Sequence, residues 1–520
     1  MHVKLLLPAL LGLCLCAGAS GASGRRISRT VLEDKIRGGW AGQMIGVSYG
    51  APTEFRYLGR TIDGELPWAP ERIRNSINQD DLYVEMTFAE VMDRVGLDAK
   101  TERYGEAFRD SKYNLWHANA CARRLLSNGV KAPWSGHPKY NIHANDIDFQ
   151  IEADFIGLMC PGLPRESNRY CDRVGRVMNY GDGLYGGMFV CGMYSAAFFE
   201  SDPKKLVQAG LACIPARSDY AGIVRDVIAG HEANPADWKK TWEIIQKRWD
   251  VDDPCPGGAL APFNIDAKLN GAYIAIGMLY GGGDFGKTVE ITTRCGQDSD
   301  CNPASSAGIL GVVLGYKGIP DVWKSGIPAI ADTKFAYTDY SFNDIIRSTM
   351  ARADRIIVKA GGSANAAEVL IPPQSPRAPK LEQWDMGRAD KLLPAADSRW
   401  TWTGAWSDVQ GRVDATRLTG KTGAGAGREA ALRFDGSAVL VVGAYSQEGG
   451  KADVYLDGKP AGEINAYVPE RTNDHGLWHA YGLKPGAHTV RIVTRADADP
   501  RSRGKTVAIY GAFTFQPRRP

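Results

Sequence analysis

Two short stretches place carboxylates where they could do chemistry. In CGQDSDCNP, residues 295–303, Asp298 and Asp300 stand one residue apart between two cysteines; in QDDLYVEMTFAE, residues 79–90, Asp80 and Asp81 are adjacent. Either pair alone is ordinary material for a helix cap or a polar turn. Four carboxylates brought together are different, because they supply the hard oxygen donors that Mg2+ or Mn2+ takes. Without a cation their mutual repulsion would raise their pKa values and cost stability. Cys295 and Cys301 do not match the C-x2–4-C spacing of a zinc loop, and no histidine pair lies nearby in sequence.

The elements expected to position these groups are helices. In residues 80–96 the apolar side chains Val84, Phe88, Val91, Met92 and Val95 follow one helix face, so Asp80 and Asp81 fall at its N-terminus. NPASSAGILGVVLGYKGIP (302–320) predicts a second helix with Asn302 as cap and Pro303 in its first position. That helix is apolar nearly all round, and Gly308, Gly311 and Gly315 permit close backbone approach, so it should be central. Backbone N–H groups at both helix starts can orient the carboxylates.

Residues 29–358 are expected to form this all-α domain. From about Ala360 the composition shifts, and 359–397, rich in Gly, Ala, Ser and Pro, reads as a linker. Strand alternation follows in AVLVVGAY (438–445), KADVYLDGK (451–459), GAHTVRIVT (486–494) and KTVAIYGAFTF (505–515), predicting an all-β, jelly-roll-like sandwich over 398–517. It opens with Trp400, Trp402 and Trp406 on one strand face, as sandwich core or as a sugar platform.

Other motifs carry less. GGGDFGKT (281–288) satisfies the nucleotide-binding P-loop pattern, but its flanks read as helices, so a helix–helix connection is expected. His475 and His479 lack the H-E-x-x-H context of a zinc protease, and ASSAG lacks the spacing of a nucleophile elbow. NDIDFQIEAD (145–154) adds Asp146, Asp148, Glu152 and Asp154, expected as a polar helix face, and Glu85 lies one turn beyond Asp81.

The chain is 44% hydrophobic and 23% charged, ordinary for a globular protein with a core. A formal net charge of +3 gives no reason to expect nucleic acid or an anionic membrane as partner. Lys4, an apolar run from Leu5 to Ala17 and small residues to Ala22 read as a signal peptide over 1–22, too short to span a bilayer. The mature protein is therefore expected to be secreted or periplasmic, and not membrane-spanning. Eight cysteines lie beyond that leader. In an exported protein they permit disulfides, with Cys160–Cys171 favoured because CPGLPRESNRYC reads as a turn-rich loop.

Four stretches in series, KIRGGWAGQMIGVSYGAPTEF (35–55), QDDLYVEMTFAE (79–90), GDGLYGGM (181–188) and CGQDSDCNPASSAGILGVVLGYKGIPDVW (295–323), together resemble the ADP-ribosylglycohydrolase family. Their order and spacing agree across about 330 residues. The resemblance implies an all-α fold whose metal centre, one or two Mg2+ or Mn2+ ions, holds a ribose and a water during glycosidic cleavage. It implies Asp80, Asp81, Asp298 and Asp300 as metal ligands, and Glu54 as the glutamate closing the first motif. Gly181, Asp182 and Gly183 fall in the loop facing the sugar-phosphate. Gln79 and Cys301 stand where the family has threonines, Gln79 still offering a carbonyl oxygen to a metal. Val47 replaces an aspartate, and Met188-Phe189 occupies the place of a common arginine.

Together these features predict an exported, metal-dependent hydrolase of a pentofuranoside or related glycan, with Glu54 and Glu85 as candidate acid/base groups and the sandwich as an accessory domain. The rival readings are an ADP-ribosyl-protein hydrolase, whose substrate would be ribosylated rather than purely carbohydrate, and a non-catalytic glycan-binding protein.

Overall fold

Ser28 begins the helical architecture: its side chain accepts from Val31 N and caps the helix Arg29–Gly50. Along that helix Gly38, Gly42, Gly46 and Gly50 recur every fourth residue and so form one stripe. Against the stripe lies the helix Cys301–Gly318, close enough for the two backbones to touch. A Cβ at Gly42 would sit 2.1 Å from Ala307 O, one at Gly46 2.1 Å from Pro303 O, and one at Gly50 1.9 Å from Ser299 O. The partner helix contributes the same way, with Gly311 facing Gly38 O at 2.1 Å. These distances admit hydrogen and nothing larger.

The computed structural model describes residues 24–250 and 253–518. The leader expected over 1–22 lies outside them. Both expected helices are present, as Asp80–Val95 and Cys301–Gly318. The second starts two residues earlier than its sequence suggests. Asp300 is the N-cap, and Asn302 is buried, donating to Asn270 Oδ1 at 2.8 Å instead of capping. Gly315, at φ 71°, kinks the helix near its end. The P-loop-like stretch joins the helices Ala267–Gly281 and Phe285–Arg294 through left-handed Gly282, with Asp284 accepting from Lys287 N at 2.8 Å. No described helix is long and apolar enough to cross a membrane.

Two expectations are corrected. Residues 145–154 are not a solvated helix face: Asp146, Asp148, Glu152 and Asp154 are all buried. Each finds donors inside, as when Asp148 accepts from Asn119 N at 2.9 Å and Asp154 from the Tyr194 hydroxyl at 2.9 Å. The Cys160–Cys171 disulfide is absent as well. Residues Pro164–Gly175 form a helix rather than a turn-rich loop, and all eight described cysteines are buried free thiols.

Residues 359–397 hold more structure than a linker. Glu368–Ile371 pairs antiparallel with Arg25–Ser28, and Arg388–Pro394 pairs with Thr506–Gln516 of the sandwich. Between those strands Glu382 meets Arg176 at 2.8 Å, and Trp384 Nε1 donates to Asn145 Oδ1 at 2.9 Å.

The sandwich is antiparallel. One sheet runs Lys459–Asn465, Gly450–Leu456, Gly486–Ala498, Glu429–Gly436, Trp400–Thr403. The other runs Gly476–Ala480, Ala438–Ala444, Thr506–Gln516, Thr416–Ala424, Ser407–Val413. Trp400 is core, Trp402 stacks on it at 5.2 Å, and Trp406 lies past the strand end. The sandwich is fastened to the helix His117–Ser127 by a buried ion pair, Arg124 Nε to Asp474 Oδ2 at 2.7 Å. Asn128 and Asn473 add side-chain bonds to Tyr467 O and Leu115 O, each at 3.0 Å.

The glycine stripe yields a sharp expectation. Gly46→Val forces three carbons into a backbone contact and should destabilise the protein by about 3 kcal/mol, the upper end of ordinary overpacking. Thermal unfolding followed by near-UV circular dichroism measures this; an unchanged melting temperature would contradict the packing described.

Candidate metal centre and substrate cleft

Close approach of the two glycine-rich helices delivers the D-x-D loop to the end of the first helix. There the Thr53 and Ser299 hydroxyls share a hydrogen bond of 2.8 Å, and Phe55 N donates to Gln297 O at 3.1 Å. Glu54 is held between those two links. Cys301 Sγ in turn donates to Asp81 Oδ2 at 3.4 Å, joining the start of the Cys301 helix to the start of the Asp80 helix. Asp298, Asp300 and Cys301 offer ligand atoms that all lie within 4.8 Å of one another.

The electrostatics follow from that crowding. Burial, then the charges of Asp80 and Asp300, raise Asp81; burial, then Asp298, raise Asp300. Burial pushes Asp298 up to about 8, against a hydrogen bond with Asp300 and with help from Glu54 and Asp81. Asp80 is raised by burial, opposed by backbone N–H donors at its helix start. Glu54 opens to the cleft, yet its partial burial and the nearby Asp300 and Asp80 push it up to about 8. Asp81 Oδ1 and Asp298 Oδ1 are buried with no hydrogen-bond partner. Buried acceptors without donors are costly. Oxygen donors crowded and unsatisfied in this way fit Mg2+ or Mn2+, which prefer carboxylate ligands.

Beside these groups opens a cleft of about 690 Å³. Glu54, Gln79 and Asp80 line it from the helical motifs, Trp116 and Phe263 from loops, and Asp414 from the sandwich. Asp414 sits at the hairpin tip between Ser407–Val413 and Thr416–Ala424, with φ 47°. A Cβ on Gly257 would lie 2.5 Å from Asp414 Oδ2, so the hairpin seats directly on the loop of the helical domain. Trp116 remains 45% exposed and so offers an aromatic face to an occupant. No described residue lining the cleft is Arg or Lys.

Four expected site residues stand apart from the cleft. Glu85 is fully buried one turn beyond Asp81, where its Oε2 accepts from Phe155 N at 2.7 Å. Gly181, at φ 53°, and Gly183 are buried, and a Cβ on Gly183 would meet Ala144 O at 2.4 Å. Asp182 starts the helix Asp182–Ala197 and accepts from Tyr220 N at 3.3 Å. The cleft residues not anticipated are Trp116, Asp148, Phe263 and Asp414. Trp116 carried a weak signal as a large aromatic just before a helix. Asp414 carried none, since it reaches the cleft only by tertiary docking.

A helical domain that gathers acidic oxygens from two helix starts beneath an open cleft presents the donor set that a divalent cation takes. The chain belongs to the ADP-ribosylglycohydrolase family, whose profile matches residues 28–353, and that family is generally divalent-metal dependent. Over 144 residues it is 34% identical to an A type blood N-acetyl-alpha-D-galactosamine deacetylase of Flavonifractor plautii. That match covers 27% of this chain and only 17% of the deacetylase. Among solved structures, an ADP-ribosylglycohydrolase-related protein complex aligns with TM-score 0.42 and 16% identity, covering 62% of this chain and 98% of that one. A two-domain esterase active on acetylated mannans aligns with TM-score 0.22 and 12% identity, over 34% of this chain and 46% of the other.

The raised carboxyls set a pH dependence with a definite sign. Glu54 and Asp298 ionise at 4.5 and 3.8 when unperturbed and at about 8 in the folded protein. The folded state therefore binds more protons across that interval, and stability falls as pH rises through it. Metal-free protein should melt at a lower temperature at about pH 8 than at about pH 5. Asp298→Asn should reduce the difference and leave the Glu54 share, and added Mn2+ should reverse it. Scanning calorimetry of chelated protein checks all three.

Proposed function

We propose that this chain is an exported, Mg2+- or Mn2+-dependent glycoside hydrolase acting on a neutral glycan, most simply a pentofuranoside. One observation carries the choice of substrate: the cleft beside the aspartates is acidic, and none of its described lining residues is Arg or Lys. A diphosphate would enter such a cleft against Asp80, Asp148 and Asp414 with no protein cation to offset its charge. A sugar meets instead hydrogen-bonding carboxylates and the exposed face of Trp116.

Asp80, Asp81, Asp298 and Asp300 are the ligands in this reading, with the Gln79 carbonyl oxygen as an additional donor. When bound, the cation orients a sugar diol and makes water a stronger nucleophile. Glu54 supplies the proton chemistry. With a carboxyl pushed up to about 8 it can hold a proton at neutral pH and deliver it to the leaving oxygen, or take one from water. Asp414 and the hairpin close one side of the cleft, so the sandwich contributes to substrate positioning. Export rests on the leader at residues 1–22.

A second reading is favoured by the deacetylase relative: hydrolysis of the acetamide of an amino sugar, with the same carboxylates and an intact glycosidic bond. One panel separates the readings. Aryl ribofuranosides, aryl arabinofuranosides, N-acetylgalactosaminides and ADP-ribosyl peptides are each incubated with the Mn2+-loaded protein. Aryl pentofuranosides should be cleaved. Acetate released without aglycone would establish the second reading, and ADP-ribose release with no turnover of simple glycosides would overturn both. On the cleaved substrate, Asp298→Asn and Asp80→Asn should abolish turnover. Glu54→Gln should lower kcat by about 10²- to 10⁴-fold, the usual worth of general acid–base catalysis.

A further inference from the structure

A second set of metal-seeking side chains lies at the junction of three segments distant in sequence. His117 begins the helix His117–Ser127, His143 and Asp146 belong to the loop before Asp148, and Cys255 belongs to the loop that forms the Gly257–Phe263 wall of the cleft. Ligand atoms from all four lie within 4.8 Å of one another. His143 Nδ1 is 2.6 Å and His117 Nδ1 3.9 Å from Asp146 Oδ2. Donors about 2.0–2.3 Å from a tetrahedral zinc ion stand roughly 3.3–3.7 Å apart, so these separations bracket what the ion requires.

The surroundings prepare the donors. His143, Asp146 and Cys255 are buried, and the His117 ring is covered by Phe263, stacked at 5.4 Å. Gly258 N donates to Cys255 Sγ at 3.2 Å, so the sulfur already acts as an acceptor. Neighbouring carboxylates are committed elsewhere: Asp148 accepts from Ala118 N and Asn119 N, Asp253 from Cys255 N and Ile265 N, and Asp266 pairs with Lys268. The segments are also locked together, with Ile147 N donating to Ile265 O at 3.0 Å and Asn141 Nδ2 to Ala118 O at 3.1 Å. The His117 backbone is held at φ 45°, a conformation unfavourable for its side chain that the site over-determines.

We propose that His117, His143, Asp146 and Cys255 form a second metal site, separate from the aspartate centre, that takes zinc and pins the cleft-wall loop 253–266 to the helix His117–Ser127. Thiolate and imidazole donors select zinc over Mg2+ or Mn2+. Four protein ligands leave no open position, so the ion is structural. The inference stands on this geometry and does not depend on which substrate the cleft takes.

The test uses the full-length protein, stripped with chelator and dialysed against Zn2+ or Co2+ with Mn2+ in excess. Elemental analysis should find one zinc per chain retained beside Mn2+. The Co2+ form should show thiolate-to-cobalt charge-transfer absorption in the near ultraviolet. Cys255→Ser should remove that band and His143→Ala should lower zinc retention at least tenfold, while Asp298→Asn and Cys301→Ser leave both intact. Hydrogen exchange of residues 253–266 should slow on zinc addition. A wild-type Co2+ protein without the band overturns the proposal and needs no folded variant. So does a band that survives Cys255→Ser or disappears with Cys301→Ser.

Discussion

Everything around the acidic centre depends on two helix backbones lying in contact along a stripe of glycines. With Gly38, Gly42, Gly46 and Gly50 on one side and Gly311 on the other, side chains are excluded from these contacts, and carbonyl oxygens occupy the space a Cβ would need. Packing at that distance is a hard constraint, because neither helix can slide without driving backbone into backbone. The seam ends at Gly50 and Ser299, the point where the D-x-D loop begins and the first motif turns toward Glu54. Helix packing thus fixes the position of charged groups that would otherwise repel one another apart.

Charge is the second consequence. Asp81, Asp298 and Asp300 are buried, Asp80 is partly so, and Glu54 adds a fifth carboxyl at the cleft. The chain offers them little in return: backbone donors at the two helix starts and the weak S–H donor of Cys301. A cluster so arranged is stabilised by a cation far more than by any protonation state, since protonation removes the repulsion but leaves buried oxygens unpartnered. The same logic extends behind the centre, where Glu85 and Glu152 each keep a buried oxygen without a partner. Folding energy is here held in reserve for ion binding.

The sandwich takes part in the architecture of the cleft. Arg124 and Asp474 form a buried ion pair across the domain junction, Arg124 also lies over the Tyr445 ring at 4.3 Å, and His479 Nε2 meets Pro138 O at 2.6 Å. Breaking one partner of such a pair costs about 3–5 kcal/mol, so the junction is stiff. Its stiffness keeps the Asp414 hairpin on the Gly257 loop, and thereby gives the cleft a wall from each domain. The helix His117–Ser127 is the shared element, with the sandwich on one side of it and the cleft loops on the other.

The amino-acid pattern alone was enough to show the two classes of secondary structure, the helical domain with its central glycine-rich helix, and the two aspartate pairs at helix starts. Those features are written in local periodicity and short motifs, and local spacing is what a linear pattern records. Burial and long-range pairing are not. CPGLPRESNRYC contains turn-forming residues, yet Pro164 suits a first helical turn and the segment is helical. The acids of 145–154 look solvated until their donors, Asn119 and Tyr194, arrive from distant helices. Glu85 shares a helix with Asp81, but only packing against Phe155 decides that it faces inward. Asp414 reaches the cleft, and His117, His143, Asp146 and Cys255 come within ligand distance of one another, solely because separate segments dock. Sequence determined which groups carry charge and which helices present them; tertiary packing decided which groups meet, because proximity between distant residues is paid for by the whole fold and by no local motif.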